Sequence, residues 1–222
     1  MGVIFDMDGV LVDSNKAHLL SWKRVAEESG VDFTEKMFWD TVGMRSESIV
    51  ERYWPQPLTT TDVAELVNKK ESIFLESCGE GVFLIPGVID FVKRLYEKKV
   101  KFALGSSAPR ANVEHILVSF GLQYYFGTRV VAGNEVQRGK PSPDIFLLAA
   151  RKMGVLPSEC IVIEDSVSGI IAGKRAGMRT IAFVSAGHER EEYEGADRIV
   201  CSFKEVENIL NIGDNQRISL GA

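Results

Sequence analysis

Two aspartates one residue apart, Asp6 and Asp8, follow a short apolar run, Val3–Phe5, and lead directly into Gly9. A strand that feeds carboxylates into a glycine turn leaves both acids at its carboxyl end, the edge where open α/β sheets bind ligands. Carboxylates this close repel, so one takes up a proton unless a cation lies between them. The pair therefore points to acid–base chemistry or to a hard cation such as Mg²⁺. A plain polar turn is the competing reading, because Asp and Gly dominate turns. An EF-hand loop is excluded: Gly9 follows Asp8 directly, and Asn15 stands where that loop needs Glu.

Three later apolar segments also end in residues that could do chemistry. Lys101–Leu104 runs into Gly105-Ser106-Ser107, whose hydroxyls and backbone N–H groups suit an anion or the cap of the next helix. Gly139-Lys140-Pro141-Ser142-Pro143-Asp144 precedes a helix, with Ser142 and Pro143 as its expected N-cap and first turn. Pro141 restricts Lys140 to an extended conformation and aims its ammonium. This is no nucleotide P-loop, since five residues separate Gly133 from Gly139 and Pro141, not Ser or Thr, follows the lysine. Ile161–Ile163 ends in Glu164-Asp165-Ser166, which could cap a helix or complete a Mg²⁺ site begun by Asp6. Each has an ordinary explanation alone. A diacid, a hydroxyl, a lysine and a second diacid at successive strand ends do not share one.

The elements that must position these residues alternate. Helices are predicted at Val88–Tyr96, Ala111–Phe120, Asp144–Met153 and Val167–Ala176, and strands at Lys101–Leu104, Thr128–Val131, Ile161–Ile163, Thr180–Val184 and Arg198–Val200. Short apolar strands separated by helices make a parallel sheet covered on both faces. Between the first strand and Pro86-Gly87 the pattern is helical: a helix closed by Gly30, then Thr34–Val42, Ser46–Tyr53 and Thr61–Ser77, broken by Gly43, Pro55 and Pro57, with no strand expected. Residues 1–13 and 85–212 thus form an α/β core, 14–84 a helical insertion over the active edge, and 213–222 a frayed tail.

The chain of 222 residues is 45% hydrophobic and 26% charged, with net charge −5. That size admits one large domain or a core with an insertion. Mild acidity without basic runs argues against nucleic acid and anionic membranes. No signal peptide or membrane span is expected, as no apolar run approaches about 18 residues. Cys78, Cys160 and Cys201 are far apart, so neither a zinc site nor a disulfide framework is expected. A cytoplasmic monomer or weak dimer fits this profile.

The ordered set Asp6-x-Asp8-Gly9, Ser106, Lys140 and Glu164-Asp165 resembles the haloacid dehalogenase superfamily of phosphotransferases across essentially the whole chain. Asp13-Ser14, Gly-Lys-Pro-Ser-Pro-Asp-Ile-Phe at 139–146 and Glu164-Asp165-Ser166 resemble its β-phosphoglucomutase-like subfamily. The resemblance implies a Rossmann-like parallel-sheet core with an inserted all-helical cap domain. It makes Asp6 the nucleophile that forms an aspartyl-phosphate, and Asp8 the general acid and then base. It places Mg²⁺ on the Asp6 carboxylate, the Asp8 carbonyl, Asp165 and Glu164, the last directly or through water. Gly9, Ser106, Ser107 and Lys140 would bind the phosphoryl group and neutralise its charge. A dehalogenase proper needs neither Asp8 nor Mg²⁺ and is disfavoured.

Specificity is expected from the cap. His18 and Trp22, four apart, share a helix face, with Trp22 reading first as cap core. Arg45, in the turn Gly43-Met44-Arg45-Ser46, and Lys70 are cations that could meet a second anionic group, and Gly43 would permit close approach to ligand. The mutases have Gly-x-Ser-Arg at this turn, so the cation here is shifted by one. Ala108-Pro109-Arg110 replaces the Ser-Lys-Asn that suits a sugar bisphosphate, leaving Arg110 as a further specificity residue. The expectation is a phosphatase of a small phosphorylated metabolite, of the sugar-phosphate kind. A phosphosugar mutase is the alternative. A non-catalytic binding module, the second alternative, predicts a damaged catalytic set, and the matched positions are intact.

Overall fold

A computed structural model describes residues 1–184, 190–193 and 195–212; the expected tail, 213–222, lies outside them. Its first strand, β1 (Gly2–Phe5), is followed by a two-residue strand, β2 (Val12–Asp13). Four helices come next: α1 (Asn15–Glu28), α2 (Glu35–Trp39), α3 (Ser46–Tyr53) and α4 (Thr60–Gly81). The chain then alternates through β3 (Phe83–Leu84), α5 (Val88–Glu97), β4 (Lys101–Gly105), α6 (Arg110–Ser119), α7 (Gln123–Phe126), β5 (Val130–Val131) and α8 (Asp144–Met153). It finishes with β6 (Cys160–Glu164), α9 (Val167–Arg175), β7 (Arg179–Phe183), β8 (Arg198–Val200) and α10 (Phe203–Leu210).

Six strands form one sheet in the order β5-β4-β1-β6-β7-β8, and every described pairing in it is parallel. The chain leaves β1 toward β4 and β5, then returns to the other side of β1 as β6. The order therefore reverses between β1 and β6, which is where such sheets open a ligand crevice. Alternation along β1 serves both faces. Val3 and Phe5 join a core with Phe91, Phe102, Val113 and Val206, while Ile4 joins Ala103, Phe146 and Val162 on the opposite side. The expected α/β fold is borne out.

The helical insertion has its own core of Trp22, Phe33, Phe38, Val50, Trp54 and Val67. Ala17, Phe74 and Cys78 at its base pack into the sheet's core. One expectation fails here. β2 and β3 pair antiparallel as a ribbon at the foot of the insertion, with Val12 opposite Leu84 and Asp13 opposite Phe83. Two-residue strands are too short to show a period. The second insertion helix also stops at Trp39 rather than Val42; it begins after Thr34, whose hydroxyl accepts from the Met37 N–H. The helices Gln123–Phe126 and Phe203–Leu210 were not anticipated.

Phe5 stands between Phe91, Phe102 and Phe126, with ring centroids at 5.7, 6.3 and 5.8 Å in edge-on contact. Truncating it empties the layer beneath the active edge. Phe5→Ala is expected to cost about 3–5 kcal/mol, as for other buried phenylalanines. The urea unfolding midpoint, at constant slope, checks this.

Candidate active site

Parallel register brings the strand ends level. Phe5 pairs with Leu104 on one side and Ile163 on the other, so Asp6, Gly105-Ser106 and Glu164 emerge together at one edge. The Asp6 N–H donates to the Ile163 carbonyl at 2.9 Å, and the Ser106 N–H to the Val131 carbonyl at 3.0 Å. Backbone pairing thus continues one residue past the strands and holds the functional side chains rigidly.

Lys140 is driven into this edge. Its Nζ donates to Asp6 Oδ1 at 2.6 Å and to Glu164 Oε1 at 2.5 Å, and all three side chains are almost completely buried. Burial alone would lower the lysine's proton affinity; the two carboxylates reverse this and raise it above the usual range. Burial also pushes the Asp6 carboxyl up to about 8. The Lys140 charge opposes that rise, while Glu164 and Asp8 add to it.

Asp6, Glu164 and Asp165 each offer a carboxylate oxygen, and these oxygens lie within 4.8 Å of one another. All three residues are buried. Three hard oxygen donors with a surplus of negative charge suit a small divalent cation. The turn is shaped for them: Gly9 has φ +73°, and a Cβ there would fall 1.7 Å from Asp165 Oδ2. Glycine lets the Asp165 carboxylate close over the first motif. The Tyr193 hydroxyl donates to the Asp165 carbonyl from beneath. Ser166 caps α9 by accepting from the Gly169 N–H at 3.0 Å, and its own N–H and hydroxyl donate to Glu164 Oε2.

The Asp8 side chain turns away from this cluster toward the helices. Ser14, at the N-cap position of α1, spends its hydroxyl on Asp8 Oδ1 at 2.5 Å rather than on the helix. His18 Nε2 lies 3.3 Å from the same oxygen, and its Nδ1 is 2.9 Å from Lys70 Nζ. An ammonium only donates, so Nδ1 accepts, and the hydrogen on Nε2 is directed at Asp8. Although burial pushes the Asp8 carboxyl up, these hydrogen bonds and nearby cations hold it below the ordinary carboxylate range.

Above the edge lies a cleft enclosing about 620 Å³, part of it open to solvent. Asp6, Asp8 and Asp165 form its floor with Ser107 and Ala108, and His18, Trp22, Gly43 and Lys70 line its helical side. Ser106 is wholly buried behind the floor, where its Oγ accepts from the Ala108 N–H at 3.1 Å. Trp22 combines both anticipated places: 2% exposed, it packs on Phe33 and Trp54 and still borders the cleft.

Other anticipated residues sit differently. Arg45 lies along Gly139 and donates to the Gln137 carbonyl at 3.4 Å, with Glu47 at 3.5 Å, so it bridges the insertion to the core outside the cleft lining. Arg110 pairs with Glu135 and donates to the Val130 carbonyl, also outside it. Gly43 (φ +81°), on the cleft lining, also approaches the core closely: a Cβ there would clash with Ser166 Oγ. Ser107 likewise donates to the Gly43 carbonyl at 2.8 Å, joining the two layers. The Ser142 hydroxyl donates to Asp144 Oδ1 instead of capping the helix backbone. Sequence reasoning missed Ser14, Asn15, Thr41, Glu71 and Asn112. Glu71 beside Lys70, and a buried Asn112 on an otherwise apolar helix face, were the available signals.

Comparison with known proteins agrees with this geometry. The family model for haloacid dehalogenase-like hydrolases matches residues 3–183, and the chain belongs to this family. It is 34% identical over 184 residues to a phosphorylated carbohydrates phosphatase of Thermotoga maritima, covering 81% of this chain and 82% of that one. It is 32% identical to the β-phosphoglucomutase of Bacillus subtilis, covering 89% and 88% respectively. Among solved structures, CbbY from Rhodobacter sphaeroides in complex with phosphate superposes with a TM-score of 0.80 at 29% identity, over 92% of this chain and 95% of that one. The chain is thus a β-phosphoglucomutase-like member of a family of phosphoric monoester hydrolases.

A divalent cation binding the three acids must displace the proton that Asp6 holds below about pH 8. Its affinity is therefore expected to rise with pH up to that value and level off above it. Calorimetry in buffers of different ionisation enthalpy should show proton release that fades above about pH 8. Proton release unchanged between about pH 6 and 9 would contradict the assignment.

Proposed function

We propose that the protein is a Mg²⁺-dependent phosphatase of a small phosphorylated metabolite of the sugar-phosphate kind, working through an aspartyl-phosphate on Asp6. One observation carries this reading: the buried cluster of Asp6, Glu164, Asp165 and Lys140 presents Asp6 and Asp165, beside Asp8, to the floor of a single cleft. Mg²⁺, when bound, would be held by the Asp6 and Asp165 carboxylates and the Asp8 carbonyl, with Glu164 direct or through water, and would offset phosphoryl charge.

The chain's own groups divide the remaining work. Asp6 attacks phosphorus as the ester oxygen departs, and Asp8 supplies the proton to that oxygen. The low proton affinity of Asp8 in the free enzyme is no obstacle, because a phosphoryl dianion placed beside it raises that affinity. Water then attacks the aspartyl-phosphate while Asp8 takes its proton, which releases phosphate and restores Asp6. Lys140 neutralises phosphoryl oxygens next to the nucleophile, and Ser106 retains its hydroxyl hydrogen for the same group. His18 and Ser14 hold Asp8 at the cleft floor between the two proton transfers.

Asp6→Asn is expected to abolish turnover, and Asp8→Ala to slow it by roughly 10²–10⁴, the usual range for acid–base catalysis. Phosphate release from a panel of esters, with and without Mg²⁺, checks both. Wild-type-like hydrolysis by Asp6→Asn would sink the proposal.

A further inference from the structure

The leaving-group end of the cleft rests on one buried ion pair. Of the two cations expected to meet a second anionic group, Arg45 is engaged outside the cleft, as is the further specificity candidate Arg110, and Lys70 remains on the cleft wall beside His18. Lys70 is 2% exposed, and its Nζ lies 3.2 and 3.1 Å from the two Glu71 oxygens and 2.9 Å from His18 Nδ1. An ammonium has three hydrogens, and three acceptors already surround this one. Glu71 is itself saturated: Oε1 accepts from Ser46 Oγ at 2.6 Å, and Oε2 from Asn112 Nδ2 at 2.5 Å. Burial pushes its carboxyl up, but Lys70, His18 and Ser46 together hold it below the usual value, so it is ionised at neutral pH. The pair carries no net charge and has no free donor for a phosphate. The neighbouring wall is hydroxyl, amide and apolar: Asn15, Thr41, Ser46, Val42 and Ile49.

We infer that Glu71 sets specificity by masking Lys70, so that the cleft accepts phosphate monoesters of uncharged, hydroxyl-bearing compounds and rejects esters that carry a second phosphate. The inference rests on the phosphatase reading. A second phosphate brings a charge of about −1.5 to −2 toward a buried carboxylate, and among the described residues that line the cleft the one lysine is already engaged. Rejection of this kind is specificity achieved against the wrong ligand. It also opposes a mutase cycle, which needs a sugar bisphosphate in the cleft.

The test compares a hexose monophosphate with the matched hexose bisphosphate, using the full chain with Mg²⁺ and phosphate release as readout. Wild type is expected to favour the monophosphate by on the order of 10²-fold in kcat/KM, mostly through KM. In Glu71→Gln the preference should shrink at least about tenfold, by a fall in KM for the bisphosphate as Lys70 is unmasked. Equal use of both esters by wild type would overturn the inference and leave the phosphatase reading standing. So would a preference unchanged in a Glu71→Gln protein whose melting curve shows it folded, or bisphosphate-dependent interconversion of glucose 1-phosphate and 6-phosphate. If Glu71→Gln does not fold, the wild-type ratio decides alone. If no ester is hydrolysed, the phosphatase reading fails, and calorimetric binding of the two esters to Asp6→Asn still decides the masking: tighter monophosphate binding supports it, and equal affinity overturns it.

Discussion

Three carboxylates and one ammonium, all withdrawn from water at the carboxyl edge of the sheet, are the constraint to which the rest of the structure answers. Each buried ion costs several kcal/mol in lost hydration, and the lysine offsets only part of the negative charge. The remainder must be met by backbone donors, by proton uptake on Asp6 and, in the proposed enzyme, by a metal ion. The fold is organised for this. Central strands β1 and β6 are apolar on both faces and locked in register, so a residue just past their ends cannot drift. Gly9 makes room for Asp165, and Tyr193 braces its carbonyl.

The helical layer is tied to the same chemistry. From Asp8 a line of hydrogen bonds passes through His18 on α1 to Lys70 and Glu71 on α4, then returns to the core at Asn112 on α6. The path leaves the sheet domain at its reacting edge and re-enters it behind the cleft. Orienting Asp8, the proposed acid–base group, and seating the helices are therefore one structural event. The seam beside it is held by small groups, with Ser107 donating to the Gly43 carbonyl and Ser166 against the Gly43 backbone. Bulk on either side would lift the layers apart.

What could be read in the residues themselves follows from range. The sheet, four of its helices and the polar tags after β1, β4 and β6 were legible because each is a local signal: an apolar run, then a short polar tag. Of the cap core, Trp22 was legible through helical spacing. The fates of Arg45 and Arg110 were not, since a cation's partner is chosen by tertiary structure, and Gln137, Glu47 and Glu135 carry no mark that they await one. Gly43 was read as permitting close approach to a ligand, and only the fold shows that a serine of the core also lies against it. Glu71 was overlooked because a Lys-Glu step on a helix looks like solvated surface until burial is known.

The ribbon formed by Val12–Asp13 and Phe83–Leu84 has a topological consequence. It clamps together the two points at which the chain leaves and re-enters the sheet domain. However many helices lie between those points, the sheet perceives only a closed loop of fixed mouth width. The insertion can accordingly be lengthened, trimmed or exchanged in descent without disturbing the register of β1 against its neighbours. One floor at the sheet edge can thus be roofed in many ways, and the cleft can be reshaped without moving the strand ends beneath it.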